Sequence, residues 1–175
     1  MYTTLKHNVL KKYINPYFVE TGTSGGGGLN IALEFDFEKI FSIEINKELQ
    51  ESNIVNFQNY IQTNKLKLLI GDSLLELQKL IPSLDKPTTF WLDAHVDDGP
   101  VGIKLCPILE ELDAIKTSLI KNHIIMIDDM RCFGTHWGTG ITIHMLLEKI
   151  KEINPNYKIL YEDGHTPNDI LVACV

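Results

Sequence analysis

The sequence predicts a doubly wound α/β fold, on three observations. First, short apolar runs recur at Tyr17–Val19, Ile40–Ile43, Leu66–Ile70, Phe90–Leu92 and Ile124–Ile127. Runs of this length suit strands buried on both faces of a parallel sheet. Second, each run ends in a polar or glycine-rich tip: Glu20–Gly28, Glu44, Gly71-Asp72-Ser73, Asp93-Ala94-His95 and Asp128-Asp129. Third, the stretches between the runs carry helical spacing. Alternating strands and helices build a sheet covered by helices on both faces. Ligands of such sheets bind outside the carboxyl ends of the strands. The five tips should therefore share one crevice.

The elements follow in order. Leu5, Val9, Leu10 and Tyr13 have helical spacing within residues 2–14, and Asn15-Pro16 ends that helix. The first strand is 17–20. A glycine turn leads into a helix from about Leu29 to Phe35, and the second strand is 39–43. Asn46 suits an N-cap, with Leu49 and Ile54 as the inner face of the helix that it starts. The third strand is 66–70. Asp72 or Ser73 can cap the next helix, whose apolar face is Leu74, Leu77 and Leu80. The fourth strand is 88–92, followed by a loop over 96–104. A helix from Pro107 to Ser118 tolerates its proline near the first turn. The fifth strand is 123–127, and 130–139 form a loop. Ile141 to Ile153 reads as a helix ended by Asn154-Pro155. Strands at 157–161 and 169–175 are joined by a turn through Asp163-Gly164. That connection is too short for a crossover, so these two strands pair antiparallel.

Bulk properties narrow the class. With 175 residues, 44% of them hydrophobic, the expectation is one domain over 1–175 with a full core. A net charge of −7 argues against a nucleic-acid partner, which calls for a basic face. Cys106, Cys132 and Cys174 lack metal-type spacing and are odd in number, which points to a reduced, cytoplasmic setting. No apolar run is long enough to span a membrane, and the first seven residues lack the apolar core of a secretory signal.

The tips carry the chemistry. Glu20-x-Gly22-x-x-Gly25-Gly26 follows a strand and opens a helix, where glycines let the backbone approach a ligand and the helix start favours an anionic group. Its spacing departs from the dinucleotide fingerprint, which disfavours a nicotinamide-dependent oxidoreductase. Glu44 can accept both hydroxyls of a ribose. Asp72 can accept from an adenine amino group, or cap its helix, or both.

These motifs resemble those of class I S-adenosylmethionine-dependent methyltransferases: V-E-T-G-T-S-G-G, S-I-E-I, G-D-S, W-L-D-A-H and I-D-D along nearly the whole chain. Within that superfamily the sequence most resembles the small metal-dependent, macrocin-type enzymes that act on sugar hydroxyls. The resemblance implies a Rossmann-like three-layer sandwich, with a seven-stranded, mostly parallel sheet and an antiparallel last strand. It implies that Glu20, Gly22, Thr23, Ser24, Gly25 and Gly26 border the methionine part of the donor. By the same resemblance Glu44 with Ile45 holds the ribose, Asp72 with Ser73 borders the adenine, and Asp93 lies beside the donor.

Asp93, Asp128 and Asp129 form the sharper signal. Neighbouring strand tips bring three carboxylates together, at high cost unless a cation neutralises them. Oxygen-only ligands suit Mg²⁺ or another divalent ion. A bound ion would lower the pKa of a coordinated hydroxyl. His95 is the first candidate for the base and His136 the second. His95 can equally be a structural histidine bonded to a backbone carbonyl. The lysine that the more distantly similar catechol-type enzymes place shortly after the first metal carboxylate is absent, since Val96-Asp97-Asp98 stands there. Arg131 can fork onto an acceptor or pair with the clustered acids. Trp137 can stack on a sugar face or close its loop, and Asp97 can border the acceptor or be solvated. A small-molecule or glycan acceptor must then be held by 96–106 and 130–139, or by the partner subunit of a homo-oligomer.

Overall fold

The computed structural model describes residues 3–95, 106–135 and 140–175. The helices are α1 (His7–Leu10), α2 (Gly27–Ala32), α3 (Lys47–Asn56), α4 (Gln58–Gln62), α5 (Ser73–Leu80), α6 (Ile108–Lys116) and α7 (Ile143–Ile153). The strands are β1 (Tyr17–Thr21), β2 (Lys39–Glu44), β3 (Leu66–Ile70), β4 (Thr88–Leu92), β5 (Ile124–Ile127), β6 (Lys158–Glu162) and β7 (Ile170–Cys174). They form one sheet in the order β3-β2-β1-β4-β5-β7-β6. β1 to β5 pair parallel, while β7 runs antiparallel to both β5 and β6. The strand order reverses beside β1, between β2 and β4, where open α/β sheets form their crevice.

Alternation along the strands sorts the core into two layers. Tyr17, Val19, Phe41, Ile43, Phe90, Leu92, Ile125 and Ile127 face α5, α6 and α7. Phe18, Ile40, Leu66, Trp91, Met126 and Val172 face Leu5, Val9, Leu10 and Leu29. Leu77 and Leu80 of α5 are buried as the spacing predicts.

Three expectations shift. The first helix shrinks to His7–Leu10, yet Leu5, Val9, Leu10 and Tyr13 are all buried. The second starts at Gly27, two residues early, because the glycine run itself forms the first turn. The inner face of α3 is not Leu49 and Ile54, which are exposed. It is Gln50 and Asn53, both buried. Their amides satisfy strand-end and turn carbonyls that apolar side chains would leave bare.

His123, just ahead of β5, is fully buried. Its Nδ1 accepts from Thr88 N at 3.1 Å, so Nε2 carries the proton and donates to Ser118 Oγ at 2.9 Å. Burial pushes its pKa from 6.5 down to about 4. The unfolded chain therefore takes a proton that the native state refuses. His123 should contribute stability above pH 6.5 that is lost as pH falls to about 4. The loss should be on the order of 3 kcal/mol. Urea unfolding from pH 7 to 4 should show a shallower acid slope for His123→Gln than for the unaltered protein.

Candidate functional site

The turn after β1 is held by contacts that only glycines permit at two points. Gly22 has φ +83°, and a Cβ there would stand 2.4 Å from the carbonyl oxygen of Asp93. The turn is therefore pressed against the tip of β4. At Gly28 a Cβ would stand 1.9 Å from Glu20 Oε1. The carboxyl of Glu20 thus lies beneath the start of α2, almost fully buried. Ser42 donates its hydroxyl to Glu20 Oε2. Burial first, and the nearby charge of Glu44, raise the Glu20 pKa to about 8 although Ser42 pulls it down.

Glu44 caps the other side of the turn. One oxygen accepts from Ser24 N at 2.7 Å and the other from Asn46 N at 2.9 Å. Each oxygen keeps a lone pair for a ligand. Ser24 sits at φ +48°, and its carbonyl accepts from Asn53 Nδ2 at 2.8 Å. The Thr23 side chain points inward, 2.6 Å from Ser42 Oγ. Gln50 Nε2 reaches Thr23 Oγ1, Ser42 O and Leu69 O at 3.2, 3.1 and 2.9 Å. Ile45 is exposed just past β2. Asp72 caps α5 through Oδ1, which accepts from Leu74 N and Leu75 N. Ser73 beside it is buried.

The acids meet at the tips of β4 and β5. His95 stands between two of them, with Nε2 2.8 Å from Asp129 Oδ2 and Nδ1 3.4 Å from Asp93 Oδ1. Arg131 Nη1 lies 2.5 Å from Asp129 Oδ1 and also pairs with buried Asp169. The Arg131 backbone donates to Asp169 Oδ1 at 3.1 Å. Arg131 is thus paired with two of the acids. The hydroxyl of Thr4 donates to Asp128 Oδ2, while Asp128 Oδ1 is buried without a hydrogen-bond partner. Burial and the charges of Asp128 and Asp129 push Asp93 well above the usual carboxylate range. His95 and Arg131 outweigh desolvation at Asp129, which is held below it.

Metal-ligating atoms gather in two overlapping sets among the described residues: Asp93, His95 and Asp129, and Asp128, Asp129 and Asp169. Within each set the atoms lie within 4.8 Å of one another. The expected triplet is thus spread over both, with a histidine nitrogen in the first. The bare Asp128 oxygen and the crowded Asp93 carboxyl fit a divalent cation.

Asp97, His136 and Trp137 lie outside the described residues, as does most of the expected acceptor loop. Sequence reasoning missed Thr4, Gln50, Asn53, Glu111 and Asp169. Two signals were available. Gln50, Asn53 and Phe57 share one helical face, as do Ile108, Glu111, Leu112 and Ile115. A polar residue on such an apolar stripe marks a buried polar contact.

No family model and no curated protein matches the chain. Solved structures do. The SAH-bound Podospora anserina methyltransferase PaMTH1 superposes with a TM-score of 0.62 at 15% identity, covering 91% of this chain and 71% of its own. An O-methyltransferase from Bacillus cereus in complex with SAH gives 0.62 at 14%, covering 97% and 78%. The chain has a Rossmann-like methyltransferase fold. A spermidine synthase from Thermotoga maritima also matches, with a TM-score of 0.59 at 15% identity and 90% of this chain covered. The chain spans about half, 53%, of that synthase's length. The fold is thus shared with proteins of more than one activity, so the site must select the chemistry.

Gly22→Ala should cost about 2–4 kcal/mol, combining left-handed strain with the clash at Asp93. Gly134→Ala is the control. Its φ is +82° but a Cβ would meet nothing within 4 Å, so only the conformational cost of about 1–2 kcal/mol applies. Paired thermal melts check the difference.

Proposed function

We propose that this protein is an S-adenosylmethionine-dependent O-methyltransferase that modifies a hydroxyl of a sugar or glycan with the help of a divalent cation. One observation carries the reading. The glycine turn, with Glu44 on its flank, is pressed against the tip of β4, where Asp93, His95 and Asp129 begin the acid cluster. A nucleoside-binding edge and a cation-binding edge therefore meet at one point, as transfer from a bound donor to a coordinated hydroxyl requires. The neighbours solved with SAH support the donor, and the likeness of the motifs to the macrocin type supports the sugar class.

The chain's residues divide the work. The lone pairs left on Glu44 accept the ribose hydroxyls, with Ile45 against the nucleoside. Asp72 and Ser73 border the adenine, and Gly22 to Gly26 border the methionine part. Asp93, Asp128 and Asp129 would hold the ion, which lowers the pKa of a coordinated hydroxyl when bound. Asp129 orients His95 by accepting at Nε2, and the imidazole, flanked by Asp93, takes the acceptor's proton. Holding donor and acceptor in attack geometry is worth roughly 7–11 kcal/mol.

Calorimetry should show S-adenosylhomocysteine binding and NAD not binding. Glu44→Gln should weaken the former about 10- to 100-fold, the loss of charged hydrogen bonds. NAD binding in place of the homocysteine product would refute the donor assignment.

In a panel of sugars and phenols, release of S-adenosylhomocysteine should appear with a sugar. It should fall at least tenfold in excess EDTA and return with Mg²⁺. Full turnover in EDTA would remove the ion, and turnover with phenols alone would remove the sugar.

A further inference from the structure

One buried acid is left unused by this scheme. Glu111 lies on α6, 1% exposed, on a stripe otherwise formed by Ile108, Leu112 and Ile115. Its Oε1 is buried with no hydrogen-bond partner. The hydroxyls of Ser73 and Thr21 approach its carboxyl and favour the charged form, but burial prevails and raises its pKa to about 7. A bare carboxylate oxygen in an apolar setting is costly to maintain, since the two hydroxyls repay only part of the desolvation. The carboxylic side chain therefore points to a ligand.

The surroundings say which kind. Glu111 lines a cleft with Asp93, His95 and Asp128, and the remaining wall is mostly apolar: Leu92, Ile108, Ile127 and Phe133 among others. No lysine or arginine lines it among the described residues. Its polar groups are thus three carboxyls and one imidazole. A cation gains most there. Glu111 belongs to neither of the two sets of metal-ligating atoms. An ion shared with Asp93 and Asp129 would not reach it, whereas an ammonium carries three N–H donors that can serve separate acceptors.

We propose that Glu111 receives a protonated primary amine of a bound ligand at the floor of this cleft. The amine can come from the amino-acid tail of the donor or from an amino sugar as acceptor. The inference rests on the proposed function for placing the donor at this crevice, and the chemistry of the cleft is the same for both sources.

The test compares the unaltered protein with Glu111→Gln and Glu111→Asp by calorimetry, after thermal melts show that the variants fold. The probes are S-adenosylhomocysteine, methylthioadenosine, which lacks the amino-acid tail, and glucosamine against glucose. Glu111→Gln weakening S-adenosylhomocysteine at least tenfold while leaving methylthioadenosine unchanged assigns the donor's amine. Glu111→Asp should then recover part of the loss. Unchanged donor binding, with glucosamine but not glucose binding to the S-adenosylhomocysteine complex and lost in Glu111→Gln, assigns the acceptor's amine. Equal weakening of both nucleosides, or no change with any probe, overturns the proposal. Absence of S-adenosylhomocysteine binding by the unaltered protein defeats the donor reading instead. The glucosamine and glucose comparison on the free protein then decides the role of Glu111.

Discussion

The site depends on one close approach, that of Gly22 to the carbonyl of Asp93. It brings the turn after β1 into van der Waals contact with the tip of β4. Without it, the glycine turn and the acid cluster would be separate features of one sheet edge. Contact requires a residue without a side chain, in a left-handed backbone conformation, at the end of a central strand. Hydrogen bonding supports the same junction: Asp93 N donates to Thr21 O at 3.1 Å, and Gly22 N to Ile43 O at 2.9 Å. Three strand tips are thereby tied together within a few residues.

Around that junction the chain concentrates negative charge and manages it by different means. Glu20 is buried and favours its neutral form. Glu44 accepts from two backbone N–H groups, a strong arrangement for a carboxylate. Asp129 is paired with His95 and Arg131, and Asp169 with Arg131. Asp93, Asp128 and Glu111 are the acids left under-compensated. The first is crowded by like charges, and the other two each keep a bare oxygen. Strain of this kind is expected where a ligand completes the structure.

Much of the fold was legible because burial on both faces of a central strand leaves an unbroken apolar run. The five runs from Tyr17 to Ile127 all became strands, and Glu44, Asp72, Asp93, Asp128 and Asp129 all lie at their tips. The antiparallel pairing of β6 and β7 follows from the short connection through Asp163-Gly164. Helix α3 was misread because an amphipathic pattern records burial, and here the buried face is polar. Gln50 and Asn53 look like surface residues until the carbonyls that they satisfy are in view.

The sequence by itself determined the layer architecture, the order of the tips and the residue types at the crevice, since these follow from periodicity and chain connection. The ion pairs of His95 and Arg131, the place of Asp169 opposite Asp129, and the bare oxygen of Glu111 were decided only by tertiary structure. His95 meets Asp129, Arg131 meets Asp169, and Glu111 meets the hydroxyls of Ser73 and Thr21, each across more than thirty positions. Local pattern carries no information about such contacts, because only the packed sheet brings their partners within hydrogen-bond distance.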